Sequence, residues 1–178
     1  MKKRTIAISF LSLVLILSSC QKIKDVFTVK VDADFSVALP VVIQEPLLKS
    51  TTVAFLATET MDPLSDDALA DYKEKIKGFE LTGMTGTINP ISADVTLTNA
   101  TLKISTATNS AEWNFTDLQL TNGTIVTFSN DDDQFTKVDA ILNEQIPVTV
   151  TFSGNASQTN VTFTLTVKFI TVVTAKII

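Results

Sequence analysis

Apolar and polar residues alternate along most of this chain. Phe27, Val29, Val31, Ala33, Phe35, Val37, Leu39, Val41 and Ile43 are separated at first by Thr28, Lys30, Asp32, Asp34 and Ser36. Period two over such a length predicts a strand with one buried face. Pro40 cannot donate to a ladder, which predicts a bend or a division there. Val53, Phe55 and Ala57, within Thr52–Thr58, predict a second strand. Val161, Phe163, Leu165, Val167, Phe169, Val173, Ala175 and Ile177 continue the alternation near the C-terminus, and Thr171 is the one member of that set that is not apolar. The first and last strands match in length and phase, so they are expected to be neighbours in one sheet.

Between them the pattern breaks at identifiable places. Gly83 and Gly86 predict a bent or bulged strand over Phe79–Ile88, and Asn89-Pro90 predicts a turn. Val95 and Leu97 are out of phase with Ala100, Leu102 and Ile104, which places a bulge or turn at Asn99. A similar slip separates Trp113 and Phe115 from Leu118 and Leu120, near Thr116-Asp117. Thr121-Asn122-Gly123-Thr124 predicts a type I′ hairpin pairing Glu112–Leu120 with Ile125–Phe128. Ile146, Val148, Val150 and Phe152 form another strand, closed by Ser153-Gly154-Asn155.

Two stretches read as helical. In Met61–Gly78, aspartates (62, 66, 67) crowd the front and lysines (73, 75, 77) the back, while Leu69, Tyr72 and Ile76 fall at i, i+3, i+7. This predicts an amphipathic helix over about 65–77, capped by Ser65, ended by Gly78 and charged to complement its dipole. Phe135, Val138 and Leu142 have the same spacing, and predict a short helix over about 134–143. Strands following strands, with helices only as insertions, predict an all-β antiparallel β-sandwich, Ig-like or jelly-roll-like, of about seven to nine strands. A closed β-barrel is the alternative. A membrane-spanning barrel is disfavoured by the absence of aromatic girdles.

The chain begins differently. Lys2, Lys3 and Arg4 precede an apolar run from Thr5 to Leu17, which ends in Ser18-Ser19-Cys20. This is the anatomy of a cleaved export signal, and the run is too short to span a bilayer. Leu17-Ser18-Ser19-Cys20 resembles the lipobox of bacterial lipoproteins, and the Lys-Lys-Arg start with Ser-Ser-Cys is similar to lipoproteins of Bacteroidota. The resemblance implies cleavage between Ser19 and Cys20, a lipid on the Cys20 thiol and retention in the cell envelope. Gln21, in place of aspartate, implies the outer membrane. The expected organisation is a signal peptide over 1–19, a lipidated tether over 20–25 and one sandwich domain over 26–178.

Composition narrows the function. Loss of Lys2, Lys3 and Arg4 leaves 11 basic residues against 19 acidic ones, a formal charge of −8. An acidic body without a basic patch does not suit nucleic acid. Cys20 is the only cysteine, so no disulfide is expected, and the chain contains no histidine, the commonest general base and metal ligand. Serines have no base partner, and no phosphate loop or cofactor motif is present, so no cofactor is expected. Asp131, Asp132 and Asp133 form a weak Ca²⁺ candidate that lacks the alternating acids and distal glutamate of a calcium loop. As helix-capping residues they have a simpler reading. Asp62, Asp66 and Asp67 are candidates for a carboxylate pair, and Trp113 and Tyr72 for sugar-stacking platforms, but both aromatics share the apolar phase of their elements. Threonine rows at 96/98, 149/151 and 162/164/166 fit β-propensity on a solvated face. The expected role is therefore a non-enzymatic, binding or structural envelope lipoprotein, held to the membrane by lipid, with an envelope protein as partner. The alternatives are a carrier of lipid or another hydrophobic ligand between the sheets, lined by phenylalanines, and a carbohydrate-binding module.

Overall fold

A computed structural model describes residues 27–44 and 53–177. The predicted signal peptide, Cys20 and the tether over 20–25 lie outside the described residues. Among the described residues, eight strands and one α-helix follow in the order β1 (Thr28–Ile43), β2 (Val53–Met61), β3 (Ile76–Ile91), β4 (Val95–Ser105), β5 (Ser110–Leu120), β6 (Ile125–Thr127), α1 (Gln134–Leu142), β7 (Val148–Ala156) and β8 (Val161–Lys176). They form two four-stranded sheets, β1-β8-β3-β6 and β2-β7-β4-β5. The antiparallel pairs β1·β8, β2·β7, β3·β6 and β4·β5 are those of a chain doubled back on itself at the β4–β5 loop. Rolled into two facing sheets, that pattern is a jelly-roll sandwich. It is not a closed barrel.

The first and last strands pair as the alternation predicts, from Thr28↔Lys176 to Ile43↔Val161 with no slip over 16 residues. Odd positions meet odd positions in this register. The apolar sets of both strands therefore enter one core, where Leu39, Ile43, Val167 and Phe169 are fully buried. Thr171 belongs to that inward set. It is buried, and its hydroxyl donates to the Ala33 carbonyl of the opposite strand, so the polar atom is satisfied. Pro40 does not divide β1, which keeps its register with β8 through that position. An edge strand can turn the missing donor to solvent.

The phase slips are bulges. β3 shifts register against β8 at Ile76/Gly78, Leu81/Gly83 and Ile88/Ile91, so inward packing passes from Leu81 to Met84. Asn89-Pro90, a cis peptide, lies within the last irregularity rather than in a turn. β4 shifts against β7 between Leu97 and Asn99. β5 slips at the same level, with Asp117 at φ 51°, so Leu97↔Leu118 and Ala100↔Phe115 stay paired while both strands change face. Gly154 sits against this slip: a Cβ there would lie 2.2 Å from the Asn99 carbonyl oxygen and 2.8 Å from the Ala100 Cα. Ser153-Gly154-Asn155 is thus strand interior, not the strand end that its composition predicts.

Two further expectations are corrected. The stretch 65–77 forms no amphipathic helix. It contains two 3₁₀ turns, Asp67–Leu69 and Lys73–Lys75, after which β3 begins at Ile76. Ile76, which completes the i, i+3, i+7 set, pairs with Ala175 instead. Asp66, not Ser65, caps the first turn through the Ala68 N–H at 2.7 Å. Leu69 is fully buried and closes the core beside β1. The 121–124 turn makes no hairpin between β5 and β6. Gly123 alone has positive φ (84°), which excludes type I′, and its N–H donates to the Ile88 carbonyl at 2.8 Å. The turn carries the chain across to the other sheet, where β6 pairs with β3 at Thr85–Thr87.

Helix α1 forms where its spacing predicts, burying Val138, Ile141 and Leu142. It packs on β3 and β5.

Candidate functional site

The acidic turn is the sharpest local feature of the sequence. Asp131–Asp133 form a 3₁₀ turn leading into α1, with Asp132 and Asp133 in the left-handed region. Asp131 accepts from the Ser129 hydroxyl at 2.6 Å. The helix is capped instead by Asn130, whose Oδ1 accepts from the Phe135 N–H at 2.7 Å. Among the described residues no group of three or more acidic, histidine or cysteine side chains is placed to hold a metal ion, and Asp131, Asp132 and Asp133 form no such group. Asp62 and Asp66 are turned onto the backbone N–H groups of Leu64 (2.9 Å) and Ala68 (2.7 Å), which accounts for them as turn caps.

Trp113 is 6% exposed, stacks edge-on against Phe128 at 5.5 Å and donates from Nε1 to the Ser129 carbonyl at 2.8 Å. It offers no stacking face to a sugar. Tyr72 is half-buried. The threonine rows fall on the outer faces of two different sheets: Thr149 and Thr151 on β7, the latter 3.3 Å from Thr58, and Thr162, Thr164 and Thr166 on β8. They form no common array.

Between the sheets, Ile88, Phe115, Leu118, Val126, Phe128 and Phe152 help to line an all-apolar cavity of about 10 Å³. That is room for about one water-sized sphere, against the several hundred Å³ of a small-molecule site. The phenylalanines fill the core. A larger groove, about 290 Å³, opens on the outer face of the β1-β8-β3 sheet between Pro40 and Pro90, floored by Thr162 and Thr164.

Two acids that sequence reasoning passed over carry organised bonds. Asp139 accepts from the Leu81 N–H at 2.6 Å. Asn143, one turn later, accepts from the Phe79 N–H at 2.8 Å and donates to the Phe79 carbonyl at 3.2 Å. These side chains replace a strand along the part of the β3 edge that short β6 does not reach. Burial pushes the Asp139 carboxyl up, the Leu81 N–H opposes this, and nearby Glu80 adds to the rise; the net direction is upward. Glu144 receives three donors on Oε1: Thr108 Oγ1 (2.6 Å), Asn109 Nδ2 (2.6 Å) and Thr106 Oγ1 (2.8 Å). They hold its carboxyl below the usual range, Thr108 most strongly. This cluster pins the β4–β5 loop, where the doubled chain reverses. The i, i+4 spacing of Asp139 and Asn143 is visible in the sequence, but the short reach of β6 is not.

No family model matches the chain, and no curated protein does. Solved structures with similar outlines come from viruses. A structure of Desmodium yellow mottle tymovirus aligns with 85% of this chain and 84% of its own at 14% identity, with a TM-score of 0.34. One of turnip yellow mosaic virus covers 82% and 96% at 16% identity and TM-score 0.35. A cryo-EM structure of mud crab tombus-like virus covers 84% and 80% at 10% identity and TM-score 0.38. Likeness at this level carries no argument about function.

Proposed function

We propose that this protein is a non-enzymatic lipoprotein of the bacterial cell envelope, anchored through lipid on Cys20, whose sandwich serves a binding or structural role for an envelope partner. The observation that carries this reading is Leu17-Ser18-Ser19-Cys20 at the end of a short apolar run led by Lys2-Lys3-Arg4. Cys20 is the only thiol in the chain and stands where a lipobox needs it. Retention at the outer membrane, implied by Gln21, belongs to the same proposal. The carrier alternative asks for a volume that the 10 Å³ inter-sheet cavity does not offer. The carbohydrate alternative asks for an exposed platform, and Trp113 faces the core.

The test is Cys20→Ser in cells that process lipoproteins. Wild-type protein should partition with membranes and carry a diacylglyceryl mass on its N-terminal cysteine. The variant should keep its signal peptide unprocessed at this site and carry no acyl mass. An unacylated wild-type protein ends the proposal. Crosslinking in intact cells should recover a defined envelope protein, and recovery of none counts against the binding role.

A further inference from the structure

Aspartates ahead of lysines between Met61 and Gly78 would complement a helix dipole, but no helix forms there. Asp62 and Asp66 are engaged as turn caps, whereas Lys75 and Lys77 are delivered, exposed, to the start of β3. That start pairs with the end of β8, Ile76↔Ala175 and Gly78↔Thr174, which brings in exposed Lys176. The end of β8 in turn meets the start of β1: Thr28 pairs with Lys176, and the Ile177 N–H donates to the Phe27 carbonyl at 2.9 Å. Two large apolar side chains are exposed at this spot, Phe27 (46%) and Ile177 (51%). Lys30 lies two pairs further along, 3.9 Å from Glu80. An acidic protein thus presents lysines around two apolar tips at the end of the sandwich where the chain arrives from Cys20.

We propose that this end, Phe27, Ile177, Lys75, Lys77 and Lys176, docks on the surface of an anionic bilayer. The inference rests on Cys20 being the lipid anchor. Six residues separate Cys20 from Phe27, and the seven steps between them span at most about 25 Å even when fully extended. The lysine end is therefore held within reach of the headgroups, whereas the far end of β1 lies about 50 Å further along the strand. Lysines attract anionic headgroups within a Debye length, and apolar tips enter the interface beside them. Asp67, Asp71 and Glu74 in the β2–β3 connection and Glu80 on β3 oppose this attraction, so the docking rests on Lys75, Lys77 and Lys176 standing around Phe27 and Ile177 and not on an excess of lysines over acids at this end.

The experiment uses the mature lipidated protein in phosphatidylcholine vesicles with and without 30% phosphatidylglycerol. Cys20 is consumed by lipid, so Ile177→Cys or Val42→Cys supplies the single thiol for a fluorescent label, at the near and far ends respectively. The expected result is at least a threefold drop in acrylamide quenching at position 177 in the phosphatidylglycerol vesicles, none at position 42, and loss of the drop in K75E/K77E/K176E. Equal quenching at both ends in anionic vesicles would overturn the docking, as would protection that survives the charge reversal. A protein without acyl mass that fails to float with vesicles would remove the anchor itself and the docking with it, whereas an acylated, floating protein without protection removes the docking alone.

Discussion

Asp139 and Glu144 lie five residues apart and respond to pH in opposite directions. Burial penalises the charged form of Asp139, so its carboxyl titrates above 3.8 in the fold. In that window the native state binds the extra proton, and the contribution of Asp139 to stability falls as pH rises through it. Asp139→Asn keeps an acceptor for the Leu81 N–H and should abolish that slope while retaining or raising stability at pH 7. Asp139→Ala strands the N–H and should cost about 1–3 kcal/mol in urea unfolding. Glu144 is held below 4.5 by its three donors. Its contribution is present above 4.5 and is lost as pH falls through the lowered value, so Glu144→Gln should flatten the acid limb of the stability curve. If Asp139→Asn and Glu144→Gln keep the wild-type pH dependence, neither carboxyl is shifted by the fold, and if Asp139→Ala matches wild type its bond to Leu81 does not stabilise the fold.

At the level of elements, close approach decides more than propensity. Gly154 lies in the interior of β7 because β4 slips past it at Asn99, leaving no room for a Cβ. Gly154→Ala must push two backbones apart, and it should cost about 1–3 kcal/mol or more, measured as a lowered urea midpoint. Gly123→Ala meets no atom within 4 Å and is opposed only by its positive φ, so it should cost less. The connection between β2 and β3 makes a second test. Leu69 is fully buried there, and Leu69→Ala should cost about 2–5 kcal/mol, whereas Lys73→Ala, exposed in the next turn, should be near neutral. A near-neutral Leu69→Ala would show that the connection is not part of the core.

Across the whole molecule, the pairs β1·β8, β2·β7, β3·β6 and β4·β5 join residues as far apart as Thr28 and Lys176 to one inter-sheet core. With one core, unfolding should be a single cooperative transition. Trp113, the only tryptophan, reports from inside that core, so its emission should be blue-shifted and resist iodide until the sheets separate. Fluorescence and far-ultraviolet circular dichroism should then share a midpoint. Two separated midpoints would mean that the sheets come apart independently.

Period-two alternation is a local property, and it was enough to specify the long strands, their buried faces, the pairing of β1 with β8 and the sandwich itself. A side chain in a strand faces one of two ways, and water selects the way. The same logic places the slips near Asn99 and Asp117, and the i, i+3, i+7 spacing of Phe135, Val138 and Leu142 places the helix that forms at Gln134–Leu142. The resemblance of Leu17–Cys20 to a lipobox needs no fold to be read. Three-dimensional packing settled what alternation leaves free: that the 121–124 turn crosses between sheets, that Ile76 joins a strand rather than a helix, and that Asp139 and Asn143 complete the β3 edge. Each of these depends on a partner distant in sequence, namely Ile88, Ala175 or Phe79. A local pattern holds no information about which distant backbone will stand within hydrogen-bond reach.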